Sequence, residues 1–366
     1  MVDLSSQYKS LKTSIDTAIQ QILLDANFIN GEPVKLLAEE LQKYNQSRYV
    51  IPCANGTDAL QIALMALNLP QGAEIITPGF SYIAVAEVCH LLGFKPVYVD
   101  VYEDTFTINV EQIEAKINAN TKAIVPVHLF GQAANMEAIM AIAEKHNLYV
   151  IEDNAQSIGA SYTFHNGNSV KTGAIGHIGT TSFFPSKNLG CYGDGGALFT
   201  NDEELAARIK MIANHGQKVK YIHDAVGVNS RLDTLQAAVL LVKLKELDSF
   251  NAQRQQVAAT YTESFKSIPQ LIPPVISPKS THVFHQYTLK TEGVDIADFR
   301  NYLQKNGVPT MIYYPLPLYK QNAYQQNIHL PITESLCSRI VSLPIGTNME
   351  VEQINHIINQ VKNYFN

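Results

Sequence analysis

Lys187 stands in SFFPSKNLGCYGDGG (182–196), among two phenylalanines, a proline and four glycines. A lysine ordinarily lays its stem on the surface and keeps its ammonium in water. In a loop built for close backbone approach, burial lowers the ammonium's pKa, and the less protonated amine can attack a carbonyl. Upstream, Asp153 closes LYVIED (148–153) and Gln156 follows it. A carboxylate at a strand end can cap a helix, hold a metal or pair with a cationic ring nitrogen. CANGTDAL (53–60) places Gly56 and then Thr57 and Asp58 where a strand gives way to a helix. Free amides and the positive end of the helix dipole can cradle a phosphate there, although the same string also suits an Asn-Gly turn with a polar cap.

Other chemistry is excluded by spacing. GxxxxGK[ST] is missing, and Gly190, Gly193, Gly195 and Gly196 lack the GxGxxG fingerprint of dinucleotide binding. The four cysteines form no CxxC pair, so neither a zinc site nor a disulfide framework is expected, and Cys191 reads as a small packing residue. His282 and His285 in HVFH, if on a strand, point to opposite faces, and no metal site is expected.

These residues need elements to position them. RYVIPC, AEIITP, PVYVDV, KAIVPVHLF, LYVIED, TTSFF and GALFTN read as short buried strands. TDALQIALMALNL (57–69) and NMEAIMAIAEKHN (135–147) carry helical apolar stripes between them. Alternation of this kind predicts an α/β domain whose mainly parallel sheet is covered on both faces, with ligands bound beyond the carboxyl ends of its strands. After residue 230 the pattern changes to a long helical tract (231–268), a proline-rich connection, the strand-like THVFHQYTL and a terminal helix after Met349. A boundary is expected near residue 250, giving a large domain (1–250) and a smaller C-terminal α+β domain (251–366), with the N-terminal segment packed on the smaller one.

At 366 residues, 46% hydrophobic and 16% charged, the composition is that of an ordinary globular protein. A net charge of -6 argues against nucleic acid or an anionic membrane as partner. MVDLSSQYKSLKTSID has no apolar core and the chain no long apolar run, so a cytoplasmic protein is expected.

An anion cradle, a strand-end acid with a glutamine nearby and a downstream lysine are the parts a pyridoxal phosphate site needs: anchor, pyridinium partner and covalent tether. NGTDAL, EDNAQ, SFFPSKNLGCYGDGG and GVNSRLDTLQAA also stand in the order found in the DegT/DnrJ/EryC1/StrS sugar aminotransferases, which the chain resembles over essentially its whole length. The resemblance implies the aspartate-aminotransferase (type I) fold, a homodimer with shared active sites, and pyridoxal phosphate cycling through pyridoxamine phosphate. It implies that Gly56, Thr57 and Ser182 hold the cofactor phosphate, with Asn229 reaching it from the other subunit. Tyr82 would stack on the pyridine, Ala155 pack against it, Asp153 pair with its nitrogen, Gln156 bond its phenolic oxygen and Lys187 form the tether.

It further implies amino transfer, usually from L-glutamate, to C3 or C4 of a nucleotide-linked keto-sugar. The wording around Lys187 and Arg231 looks more like the 3-keto branch, and most like enzymes acting on a UDP-2-acetamido-3-keto-hexuronic acid on the route to O-antigen. A dTDP-3-keto-6-deoxyhexose enzyme is the near rival, and a regulator that binds cofactor and sugar without turnover is the alternative class. Arg231 offers a planar fork for a carboxylate, of the hexuronate or of glutamate, or else pairs with Asp233 or Glu246. Tyr313 and Tyr314 align with the family's substrate-side segment.

Overall fold

The computed structural model describes residues 2–366. Seven strands form the central sheet, in the spatial order Tyr49–Cys53, Gly196–Thr200, Ile178–Ser182, Tyr149–Asp153, Thr121–Ile124, Glu74–Pro78 and Lys95–Val99. Gly196–Thr200 is antiparallel to both its neighbours, and every other pairing in the sheet is parallel. The α/β architecture expected from the alternation is therefore present.

Two-residue periodicity splits the apolar side chains between the faces. Ile75, Ile151 and Leu198 join a core with the helices Gly56–Ala66, Ala84–Leu91 and Glu203–Ala213. Their neighbours Ile76 and Val150 face the helix Met136–His146, while Ala197 and Phe199 face Glu32–Asn45 and Thr234–Leu244. A separate core gathers Val257, Tyr261, Phe265, Tyr287, Leu289, Phe299, Val341 and Ile357 around the three-stranded sheet Leu271–Ile272, Tyr287–Thr291 and Ile340–Leu343.

Three expectations need correction. The tract 231–268 is two helices, Thr234–Leu244 and Leu247–Phe265, broken at Lys245 and Glu246. In KAIVPVHLF the regular strand stops at Ile124, because Pro126 has no amide to extend the ladder. THVFHQYTL is a strand only from Tyr287 onward; Phe284 has φ 45°, which takes His282 and His285 out of any strand alternation. Residue 250 lies inside an unbroken helix, with Leu247 in a core of the large sheet and Val257 to Phe265 in the smaller one. The N-terminal helix Leu4–Asp25 reaches that second region through Gln7, whose Nε2 donates to Thr347 Oγ1 at 3.3 Å.

Candidate active site

Register brings the candidate residues to one edge of the sheet. Gly196 faces Cys53 on one side and Ser182 on the other, so the ends of two parallel strands meet across it. Asp153 ends the next strand, opposite Thr180. Gly56 comes three residues after Cys53, and a Cβ on it would lie 2.7 Å from Ser182 Cβ; a Cβ on Gly196 would lie 2.5 Å from the carbonyl carbon of Asn55. Glycine is thus required at both positions for the backbones to approach.

Asn55 caps the helix Gly56–Ala66 by accepting from Asp58 N at 2.8 Å. The amides of Gly56 and Thr57, at the helix's positive end, have no acceptor among the described residues. Cradle and cap, rivals in the sequence, coexist: Asn55 is the cap and the two amides stay free. Ser230 Oγ accepts from Ala54 N at 3.0 Å, which ties this loop to GVNSR.

Asp153 is buried. Its Oδ1 accepts from Ala155 N at 3.0 Å, and its Oδ2 has no donor among the described residues. Burial pushes its carboxyl above the ordinary range, while the Ala155 amide and the positive charge of Lys187 pull it back. Lys187 sits in the turn that its own amide closes on Phe184 O at 2.8 Å, and its Nζ has no hydrogen-bond partner among the described residues. Burial lowers its ammonium to about 8, against which Asp153 acts in the opposite sense. A carboxylate with one free oxygen and an unpaired, weakened ammonium suit a ligand that brings a cation to the first and a carbonyl to the second. These unpartnered groups, with the free amides, fit pyridoxal phosphate.

Gln156 is held at both ends: Phe130 N donates to its Oε1 at 2.8 Å and its Nε2 donates to Tyr314 Oη at 3.2 Å, leaving one N–H for a ligand. Tyr314 lies 6.1 Å from the ring of Tyr82, which is 55% exposed and free to cover a flat ligand. Tyr313 adjoins Tyr314, with ring centroids 5.8 Å apart. Burial pushes both phenols upward. Arg231 pairs with neither Asp233 nor Glu246, and Asn229 is exposed. The structure therefore brings Gly56, Thr57, Ser182, Tyr82, Asp153, Ala155, Gln156, Lys187, Tyr313 and Tyr314 to one end of the sheet, with Asn229 exposed.

Sequence reasoning missed the supports. Glu152, fully buried behind Asp153, accepts from Ile175 N (2.7 Å), Gly176 N (2.6 Å), Gly173 N (2.8 Å) and His128 Nε2 (2.8 Å). His128 Nδ1 accepts from Ala134 N, which puts the ring proton on Nε2, and its backbone amide donates to Asp153 O at 3.0 Å. Lys243, 1% exposed, donates to Gly190 O at 2.7 Å beneath the Lys187 loop and lies 4.2 Å from the Tyr192 ring centre. A lysine on the apolar stripe of AAVLLVKL was the available signal. Cys191 packs against backbone, with Sγ 3.0 Å from Phe183 O, and burial pushes its thiol up to about 11. The His282 ring stacks on Phe284 at 3.9 Å, and its Nδ1 accepts from Phe284 N.

The DegT/DnrJ/EryC1/StrS aminotransferase family matches over residues 9–362. Among relatives, the UDP-2-acetamido-2-deoxy-3-oxo-D-glucuronate aminotransferase of Pseudomonas aeruginosa is 46% identical, covering 97% of each chain. A pleiotropic regulatory protein of Geobacillus stearothermophilus is 42% identical over 100% of this chain and 98% of its own. The dTDP-3-amino-3,4,6-trideoxy-alpha-D-glucose transaminase of Streptomyces venezuelae is 36% identical over 99% and 95%. A DegT DnrJ EryC1 StrS aminotransferase from Brucella abortus superposes with a TM-score of 0.94 at 40% identity, over 100% of this chain and 98% of its own. NtdA from Bacillus subtilis, solved with bound cofactor PMP, gives 0.89 at 32% identity over 97% and 82%.

Proposed function

The chain belongs to the DegT/DnrJ/EryC1/StrS aminotransferase family, and from that premise we propose that it moves the amino group of L-glutamate to C3 of a UDP-2-acetamido-2-deoxy-3-keto-hexuronic acid, for O-antigen or a related polysaccharide. That the protein is a pyridoxal phosphate-dependent transferase working on nucleotide-linked sugars follows from its family. The choice of C3 and of a hexuronate is our reading, and the facing pair Lys187 and Asp153, without other partners for Nζ and Oδ2, is the observation that carries the chemistry.

When bound, pyridoxal phosphate supplies an aldehyde that condenses with amines and a cationic ring that takes up the electron pair released at an adjacent carbon. Lys187 offers the amine for attachment. Once free of that attachment, its Nζ would take a proton from the donor's α-carbon and, in the second half of the cycle, deliver one to C3 of the sugar. Burial, which lowers that ammonium's pKa, favours an amine able to take up and release a proton. The free oxygen of Asp153 sustains a positive charge on the ring nitrogen, which offsets the burial that otherwise opposes its own ionisation. Gly56, Thr57 and Ser182 anchor the phosphate, and Tyr82 covers the ring face. Gln156 presents its remaining N–H to the phenolic oxygen.

Arg231, unpaired within the protomer, binds the hexuronate or the glutamate carboxylate. Asn229 completes the phosphate site of a second copy. It follows a hairpin that exposes Val219 (61%), Tyr221 (80%) and Ile222 (59%), apolar surface that a homodimer would cover. The relative named as regulatory keeps the sensor reading in view, and turnover separates the two.

Glutamate is offered with a panel of UDP- and dTDP-linked 3-keto and 4-keto sugars, following 2-oxoglutarate and the position of the new amine. Highest kcat/KM with the UDP-3-keto-hexuronate is expected; preference for a 6-deoxy or 4-keto sugar overturns the substrate assignment. Arg231→Ala should raise KM for the hexuronate about tenfold or more while affecting a 6-deoxyhexose little.

A further inference from the structure

Lys243 stands on the apolar stripe of the helix Thr234–Leu244, buried with Ala237, Leu240 and Leu244. A leucine or methionine would serve the packing there equally well. An ammonium with no carboxylate beside it is costly to bury, and burial lowers this one to about 8, with Cys191 acting in the opposite sense. That cost points to a task for the charged group.

Its contacts identify the task. Nζ donates to Gly190 O at 2.7 Å and lies 4.2 Å from the centre of the Tyr192 ring, a cation against an aromatic face. Gln236, about two turns earlier on the same helix, accepts from Tyr192 N at 2.8 Å. One helix therefore grips the segment 190–192 at two points. Gly190 passes the restraint on: a Cβ there would lie 2.4 Å from Pro185 O and 2.8 Å from Phe184 O, so the end of the loop rests on its beginning. Phe184 O is also the acceptor of the Lys187 amide at 2.8 Å, and Cys191 N closes the loop on Phe183 O at 2.8 Å. Lys187 Nζ has no hydrogen-bond partner of its own among the described residues, so the backbone of this turn is what aims it.

We propose that Lys243 is a positioning residue for Lys187: its ammonium, held on Gly190 O and against the Tyr192 ring, sets the turn that presents the Lys187 amine to the cofactor aldehyde. The inference rests on Lys187 as the attachment point and adds a residue that touches neither cofactor nor substrate.

Lys243→Met keeps the apolar stem and removes the donor and the charge. Apo-protein is mixed with pyridoxal phosphate for timed intervals, reduced with borohydride and mass-mapped for modification at Lys187, and kcat and KM for L-glutamate are measured with a keto-sugar that the wild type turns over. The attachment rate and kcat should each fall about tenfold or more, with KM within about twofold of wild type. The urea midpoint of the apo-protein should not fall, because the substitution relieves a buried charge. Attachment rate or kcat at its wild-type value overturns the positioning role and leaves the attachment point standing. A loss carried by KM, or one accompanied by a lower urea midpoint, returns Lys243 to a structural role and overturns the proposal as well. Wild-type protein that is not modified at Lys187 overturns the attachment point and the inference together. Should Lys243→Met fail to fold, Tyr192→Leu, which takes the ring from the same ammonium, decides by the same criteria.

Discussion

Lys187 and Asp153 illustrate how far residue types carry an argument. Both were legible because a lysine among glycines and an acid closing an apolar strand are costly unless something binds there. Gln156 was only half legible, since its two partners, Phe130 N and Tyr314, lie 26 and 158 residues away along the chain. Lys187 carries the residue-scale prediction. Burial depresses its pKa from 10.5 to about 8. Between those values the unfolded chain holds a proton that the folded chain releases, so the apo-protein gains stability as pH rises through the window. Over the same region the free amine accumulates. Uptake of pyridoxal phosphate, followed by absorbance, should accelerate with pH and level off above a midpoint of about 8. A midpoint near 10.5 would mean that the ammonium is solvated and the pocket is not what shifts it.

At the scale of elements, the strands were readable because alternating apolar residues feed two different cores and because Gly, Pro and Asn punctuate their ends. What escaped depended on pairings across the fold. The break at Lys245 and Glu246 carries no proline or glycine, so periodicity ran straight through it. The Glu152 carboxylate is satisfied by three loop amides and His128, none of them predictable from EDNAQ. Gly196 carries the element-scale prediction, since its missing side chain lets the antiparallel strand Gly196–Thr200, second from the sheet edge, pass under the Asn55–Gly56 turn. Gly196→Ala forces a methyl into backbone that cannot yield cheaply, at a cost of about 1–3 kcal/mol. Because the displaced turn carries the free amides, cofactor affinity should fall by about tenfold or more, measured by titration of apo-protein, alongside a lower denaturant midpoint. Unchanged affinity would remove Gly56 and Thr57 from the phosphate site.

For the whole molecule, charge and composition argued against nucleic acid as a partner but said nothing about which surface would meet a second copy. Asn229, exposed six residues beyond the hairpin strands Gln217–Val219 and Ile222–His223, marks the surface we propose for it. If each site takes Lys187 from one protomer and Asn229 from the other, two inactive variants should complement each other. Lys187→Ala and Asn229→Ala homodimers are each expected to be impaired. Their co-refolded mixture should regain about a quarter of wild-type activity, because half the dimers are hybrids and each hybrid has one intact site. Activity no greater than the average of the two parents would place both residues in the same protomer's site.

Borohydride reduction of the cofactor-loaded enzyme, followed by mass mapping of its peptides, bears most directly on the central claim. Peptide mass increased by the reduced cofactor at Lys187, and lost in Lys187→Ala, is the result expected. The cofactor fixed to another lysine, or to none, would contradict the chemistry assigned to this site.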